Sequence, residues 1–81
     1  MKAIINISLK QGVLDSQGKA AHHTLDTIGF KEAVADVRIG KQIIMQLNTQ
    51  DETQARKEVT QMCEQLLANT VIEDYTIALE N

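Results

Sequence analysis

Apolar and polar residues alternate at the two ends of the chain. The alternation over residues 2–10 predicts a half-buried strand, and residues 72–80 repeat the pattern. The inward positions that the pattern assigns are Ala3, Ile5, Ile7 and Leu9 in the first strand, and Tyr75, Ile77 and Leu79 in the last.

Two further alternating segments lie in the middle of the chain. They cover Ala33–Ile39 and Gln42–Asn48, and they flank the dipeptide Gly40-Lys41. A short glycine-containing turn between two alternating runs is typical of a β-hairpin, so the pattern predicts two more strands here.

The segment from Ser16 to Ile28 has helical spacing. Asp15 precedes it as a good N-cap, and Gly29 follows it at the position that favours a left-handed turn. Gly12, in the preceding loop, is free to take a positive φ. The residues predicted to form the buried side of this helix are Ala21, Leu25 and Ile28.

The second helix has the stronger pattern. Thr49 and Glu52 are spaced as a capping box just before it. Its apolar positions recur at helical spacing and are Ala55, Val59, Met62, Cys63, Leu66 and Leu67.

The order of elements is therefore βαββαβ, and no proline or linker interrupts the 81 residues. We expect an α+β fold in a single domain, residues 1–81: a four-stranded antiparallel sheet covered on one face by two helices. The other face would carry Ile4, Asn6, Ser8, Arg38, Ile44, Gln46, Thr76 and Ala78. Its mixed polarity suggests self-association through this face or through a strand edge.

Composition and net charge limit the classes of molecule that the protein could bind. Phe30 and Tyr75 are the only aromatic residues, so the core is small and assembly with another subunit would stabilise it. A net charge of −3 argues against nucleic acid and anionic membranes. The single cysteine and the short apolar run after Lys2 predict a cytoplasmic protein without a disulfide or a signal peptide.

The sequence contains no arrangement typical of catalysis, of cofactor binding or of a metal site. His22 and His23 are adjacent on a helix and diverge by about 100°, so they are interpreted as surface residues. Cys63 lies on an apolar helix face without a basic neighbour, which indicates a small core residue. The acidic residues are dispersed, and Glu73 and Asp74 point to opposite sides of a strand.

Three sequence tests exclude other uses of this topology. A phosphate-binding loop lacks its usual ending, because Ala20 follows Gly18-Lys19. An RNA-recognition motif needs aromatic rings on its central strands, and the corresponding strands have none. An acylphosphatase-like enzyme needs an arginine in the loop after the first strand, and residues 11–18 contain none.

Three segments, LKQGVLDSQGKA (9–20), VRIGK (37–41) and MCEQLLANTVIEDY (62–75), resemble the PurS family, the small subunits of bacterial phosphoribosylformylglycinamidine synthase. The resemblance runs nearly end to end. The chain departs from the family at Ser16 and Thr70, where proline is common. Ser16 suits the first helical position after a cap, whereas Thr70 would loosen the turn into the last strand.

The resemblance implies a role in purine biosynthesis. The assembly converts formylglycinamide ribonucleotide, glutamine and ATP to the amidine, glutamate, ADP and phosphate. The resemblance implies that no cofactor binds to this chain and that the large synthetase subunit uses ATP and Mg. The partners it implies are a glutaminase subunit, the large synthetase subunit and a second copy of the chain, as a homodimer or higher oligomer.

On that basis we expect contact roles, not catalytic ones, for the polar members of the matching segments: Lys10, Asp15, Arg38, Lys41, Asn69, Glu73 and Tyr75. An alternative function is a regulatory βαββαβ dimer that senses an amino acid. Such a sensor would need free backbone amides in a glycine-containing loop, for which residues 11–18 are the only candidate.

Overall fold

The computed structural model describes all 81 residues and confirms an α+β fold. The strands are β1 (Lys2–Leu9), β2 (Gly40–Gln46) and β3 (Glu73–Glu80), and the helices are α1 (Ser16–Leu25) and α2 (Glu52–Met62). Each helix continues into a π-helical turn, Asp26–Phe30 after α1 and Cys63–Leu67 after α2. The observed order is therefore βαβαβ.

The sheet has three antiparallel strands in the order β2-β1-β3, so the predicted four-stranded sheet is wrong. Ile5 of the central strand pairs with Ile43 on one side and Ile77 on the other. Residues 33–39 form no strand.

The predicted hairpin fails because Gly40 is not a turn residue. It lies in β2, opposite Ser8, and its φ is not positive. A Cβ at this position would lie 2.7 Å from the carbonyl oxygen of Ile7. The glycine therefore permits close approach of two strands.

The core lies between β1 and α2. Ala3, Ile5 and Ile7 are buried against Val59 of α2 and against Cys63, the first residue of the turn that follows α2; both are fully buried. The half-buried side chains of β3 (Tyr75, Ile77 and Leu79) lie on the same side of the sheet, as predicted.

The start of α1 agrees with its predicted signal, whereas α1 ends at Leu25, before the predicted end at Ile28, and Gly29 lies inside the π-helical segment that follows. The Asp15 side chain caps the first turn, and Gly29 has a φ of +107°. Its predicted buried stripe is wrong, because Ala21 and Leu25 are only partly buried and Ile28 is exposed. The helix makes no substantial contact with the sheet, so one helix covers the sheet and not two.

The N-cap of α2 is Asp51, whose carboxylate accepts hydrogen bonds from the amides of Thr53 and Gln54. The predicted capping box is therefore wrong, and Thr49 instead accepts a hydrogen bond from the Asp51 amide. The predicted apolar stripe is confirmed for Ala55, Val59 and Cys63, which are buried, and is wrong for Met62, which is exposed. Leu66 is exposed because the π turn changes the angular spacing of the residues after Cys63.

The face of the sheet opposite α2 is open. Ile4, Ile44 and Ala78 form one cross-strand row on it, as the alternation predicted. Arg38 does not belong to this face, since it precedes the first residue of β2.

Candidate functional site: the loop end of the sheet

The three segments that carry the family resemblance meet at one end of the sheet. Leu9 pairs with Glu73, and Ser8 pairs with Gly40, so β1 ends where β2 and β3 begin. We call this region the loop end. It comprises the loop 10–15, the segment 37–41 and the turn 68–72.

Asp15 ties the base of α1 to the start of β2. Its Oδ1 accepts a hydrogen bond of 2.8 Å from the amide of Gly18, and its Oδ2 accepts one of 2.7 Å from the amide of Ile39. These two amides, with a smaller contribution from the Arg38 charge, lower the pKa of the carboxyl below its ordinary value. The residue is 5% exposed, so it positions the loops and is not available for a partner.

Arg38 clamps the loop after β1. One guanidinium nitrogen donates to the carbonyl of Val13 (3.2 Å), and the other lies 3.3 and 3.4 Å from the carbonyls of Lys10 and Leu9. The side chain therefore donates hydrogen bonds to backbone carbonyls at the end of β1 and in the loop that follows it.

The turn before β3 is closed by its own polar groups. The Asn69 amide donates to Oε1 of Glu73 (2.7 Å), and the Val71 amide donates to Oδ1 of Asn69 (3.2 Å). The Lys10 amide donates to the carbonyl of Ile72 (2.8 Å) and joins this turn to the loop after β1. These bonds hold the turn although Thr70 stands where the family commonly has proline.

Tyr75 connects β3 to the turn that follows α2. Its hydroxyl donates a 2.7 Å hydrogen bond to Oε2 of Glu64, which raises the pKa of Tyr75 to about 12, with smaller contributions from burial and from the Glu64 charge. The side chains of Lys10 and Lys41 make no hydrogen bond or ion pair within the chain. The structure thus brings all seven predicted residues to one end of the molecule, and it gives five of them structural partners there.

Two apolar side chains near the loop end are highly exposed. Leu66, in the π turn that follows α2, is 82% exposed, and Val71, in the turn before β3, is 81% exposed. Sequence reasoning missed them because Leu66 matched the buried stripe of α2. Large exposed apolar residues on a hydrogen-bonded loop framework are typical of a protein-binding surface.

The histidines, the cysteine and the acidic residues do not cluster into a metal site. No group of three or more His, Cys, Asp or Glu side chains is placed to hold a metal ion. Burial, with a smaller effect of Glu64, raises the pKa of the Cys63 thiol. His23 is exposed, and Nε2 of His22 lies 3.2 Å from the carbonyl oxygen of Val34.

Two amides of the segment 11–18, which the amino-acid-sensor alternative would use, are bonded within the chain. The amide of Val13 donates to the Lys10 carbonyl, and that of Gly18 donates to Asp15. No helix has the length and hydropathy needed to cross a membrane. Fold and surface together define the class of the protein: a small α+β binding subunit that presents a shaped loop surface.

Comparison with known proteins identifies the family. The family profile PurS, described as phosphoribosylformylglycinamidine (FGAM) synthase, matches residues 2–81. The PurS subunit of Bacillus subtilis is 46% identical over 79 residues, which cover 98% of this chain and 92% of the relative. The PurS subunit of Methanocaldococcus jannaschii is 39% identical over 98% of this chain and 94% of its own length.

Solved structures agree with this result. The crystal structure of B. subtilis PurS superposes with a TM-score of 0.88 at 45% identity, over 99% of this chain and 98% of that one. A chain in the structure of PurLQS from Thermotoga maritima superposes with a TM-score of 0.82 at 28% identity, over 95% and 93% of the two chains. The chain belongs to the PurS family. Members of this family are subunits of phosphoribosylformylglycinamidine synthase in purine biosynthesis, which confirms the function implied by the resemblance.

Proposed function

We propose that this chain is the non-catalytic subunit that bridges the glutaminase and the ATP-dependent synthetase subunits of that enzyme. The T. maritima PurLQS structure supports this role, because a PurS chain with the same fold is part of that assembly. ATP and Mg act on the synthetase subunit, and the bridging chain supplies alignment.

The chemistry explains why alignment matters. Ammonia released from glutamine must remain neutral to attack the second substrate, and it must not escape to water on the way. Two active sites on separate subunits therefore need a sealed and fixed path between them. A hydrogen-bonded loop surface can hold two larger subunits in register without a nucleophile of its own.

The β3 side of the loop end is the proposed contact with a larger subunit. The observation that carries this assignment is the exposure of Leu66 and Val71 on a framework tied by Asn69 and Glu73. Interfaces draw most of their binding energy from a few apolar or aromatic anchors within a polar rim. Lys10 and Lys41, whose side chains have no internal partner, supply free charges at the rim.

The chain is also proposed to work as a homodimer. Only nine of its 81 residues are buried, and the single covering helix leaves part of the sheet uncovered. A second copy would complete a core that one chain does not.

Reconstitution tests the bridging role. The purified chain is mixed with the synthetase and glutaminase subunits, and product formation is measured with glutamine and, separately, with ammonium as the nitrogen source. Leu66→Glu combined with Val71→Glu should lower the glutamine-dependent rate at least about tenfold, since a charged side chain at a buried anchor costs more than about 1.4 kcal/mol.

The ammonium-dependent rate should change little, because the synthetase then receives its substrate from solution. The matched control is Gln61→Glu, a charge change on the exposed outer side of α2, which should leave both rates unchanged. If omission of the chain leaves the glutamine-dependent rate intact, the bridging role is wrong. If the double variant matches the control, the loop end is not the contact surface.

A further inference from the structure

The outer edge of β3 has no strand beside it. The order β2-β1-β3 places β3 at one side of the sheet, where β1 is its only strand partner. Its pairing with β1 is continuous over eight residues, from Lys2 opposite Glu80 to Leu9 opposite Glu73. No proline, glycine or positive φ interrupts the strand. The edge is therefore regular along its whole length and can accept a further strand.

The backbone groups that point outward from this edge follow from the ladder. The amide of Lys10 donates to the carbonyl of Ile72, so these two residues form a hydrogen-bonded pair just beyond the end of β3. In an antiparallel ladder such pairs alternate with pairs that exchange no hydrogen bond. Even-numbered residues of β3 therefore bond to β1, whereas the amides and carbonyls of Tyr75, Ile77 and Leu79 point away from it.

The outward groups of the edge are weakly covered. Nη1 of Arg56 lies 3.5 Å from the carbonyl oxygen of Ile77, at the limit of a hydrogen bond, and the arginine is exposed. Edge strands are usually protected from other strands by a lysine, a proline or a bulge. The β3 sequence, EDYTIALE, has none of these devices.

Two exposed apolar side chains lie near the start of this edge. Val71 precedes β3 by two residues, and Leu66 lies in the π turn after α2. The hydrogen bond from Tyr75 to Glu64 holds that turn against β3. In strand addition, main-chain hydrogen bonds give affinity and side-chain contacts give specificity. The edge therefore offers the first, and Leu66 and Val71 offer the second.

The part of the chain that includes β3 is acidic. Residues 58–81 contain no Lys or Arg and five acidic residues, which are Glu58, Glu64, Glu73, Asp74 and Glu80. Residues 1–57 carry a net charge of +2, so residues 58–81 carry −5. Lys2 pairs with Glu80 at 3.6 Å, whereas Asp74 is exposed and makes no hydrogen bond or ion pair within the chain. In the ladder, Lys10 lies one strand inward, opposite Ile72.

A second copy of β3 does not suit this edge electrostatically. Antiparallel pairing of two β3 strands about Ile77 places Asp74 opposite Glu80, and like charges directly opposite each other are destabilising. A strand that carries Lys or Arg at the matching positions is attracted instead.

We infer that the outer edge of β3 binds an extended, basic segment of one of the two larger subunits as a fourth strand. The inference deepens the bridging function proposed above and rests on it, because it names the kind of segment that the chain holds. Leu66 and Val71 contact the same subunit at the start of the added strand.

Amide hydrogen exchange, read residue by residue by NMR, tests the pairing. In the chain alone, the outward amides of Tyr75, Ile77 and Leu79 should exchange fast, and those of Thr76 and Ala78 slowly, because they bond to β1. Assembly with the synthetase and glutaminase subunits should slow exchange of the three outward amides at least about tenfold. Each larger subunit is also added separately, which identifies the one that supplies the strand.

Three results of this experiment are distinct. Outward amides that stay fast in an assembly with full glutamine-dependent activity would overturn strand addition and leave the bridging function standing. Protection that appears in the chain alone and grows with its concentration would give the edge to a second copy and also overturn the inference. A glutamine-dependent rate that is unchanged when the chain is omitted would overturn the bridging function itself.

A backbone change at Ile77 tests the edge without altering a side chain. A synthetic peptide of residues 63–81 is joined to residues 1–62 by ligation at Cys63, with the amide nitrogen of Ile77 methylated. The methyl group removes an outward donor and blocks close approach, so affinity for the larger subunit should fall at least about tenfold. The stability of the chain should change little, because this amide does not bond to β1.

Methylation of the Ala78 amide is the positional control. That amide bonds to β1, so its methylation should lower the free energy of unfolding. If the ligated chain with methylated Ile77 binds as tightly as the unmodified ligated chain, the inference is wrong.

Charge reversal tests the basic character of the segment. Asp74→Lys should lower the rate of association with the larger subunit at least about tenfold at low salt. Glu52→Lys makes the same charge change at the exposed start of α2, away from β3, and should alter that rate less than about twofold. Equal rates for the two variants would contradict a basic segment at this edge.

Discussion

At the scale of single residues, Asp15 joins the start of α1 to the segment that leads into β2. Its carboxylate accepts hydrogen bonds from the amides of Gly18 and Ile39, and its backbone carbonyl accepts one from the amide of Lys19. One side chain therefore starts α1 and fixes the approach to β2. Because the lowered pKa reflects bonds to the ionised form, the junction depends on a charged carboxylate.

Gly18 is the counterpart of Asp15 in this junction. Alanine within a helix is ordinarily more stable than glycine by about 1 kcal/mol. At this position a Cβ would lie 2.5 Å from the Val37 oxygen and 2.7 Å from Oδ2 of Asp15. We expect Gly18→Ala to lower the free energy of unfolding by about 1–3 kcal/mol, the cost of overpacking, in urea titrations.

Gln17→Ala, at an exposed position of the same helix, is the control and should be neutral or slightly stabilising. Equal stabilisation by both substitutions would show that Val37 does not pack against the helix.

Sequence reasoning identified part of the junction and not the rest, for a physical reason. An N-cap acts within three residues, so the role of Asp15 in α1 could be predicted from the sequence. Arg38 donates hydrogen bonds to carbonyls that are 25 to 29 residues away in the sequence. A local sequence pattern does not predict contacts over that separation. The seven residues chosen from the sequence lie together at the loop end, and their individual bonds could be seen only in the structure.

At the scale of elements, Tyr75 and Glu64 couple β3 to the end of α2. The pKa of Tyr75 rises from its ordinary value of 10 to about 12 because its protonated hydroxyl donates to the Glu64 carboxylate. The folded state thus holds this proton more tightly than the unfolded state. The stabilisation is fully present below pH 10 and is lost as the pH rises toward about 12.

We expect Tyr75→Phe to be less stable than the wild type at pH 9, and the difference to shrink between pH 10 and 12. The measurement is the free energy of unfolding at each pH, and the Phe variant itself serves to subtract the titration of the lysines. A difference that stays constant across this range would contradict the role of the hydrogen bond.

The errors in predicting elements come from two local features. Gly40 was interpreted as a turn residue because glycine has two uses, φ freedom and close approach, which the sequence does not distinguish. Leu66 was interpreted as buried because the α-helical period was continued into a π turn. The second error concealed one of the two most exposed apolar residues of the loop end.

At the scale of the whole molecule, the pattern of α1 was recognised correctly and its environment was not. Ala21, Leu25 and Ile28 do share one side of a helix, but hydrophobic spacing does not say which chain supplies the covering surface. With two aromatic residues and nine buried positions, the chain buries little apolar surface by itself.

A core completed by a second copy makes stability depend on concentration. When folding and association are coupled, each tenfold rise in concentration adds about 1.4 kcal/mol per dimer, or about 0.7 kcal/mol per chain. For a domain of this size, that corresponds to a rise in the melting temperature of about 3–5 °C. We expect this slope for the wild type over a hundredfold range in differential scanning calorimetry. A wild-type melting temperature that is independent of concentration would mean that one chain folds without its neighbour.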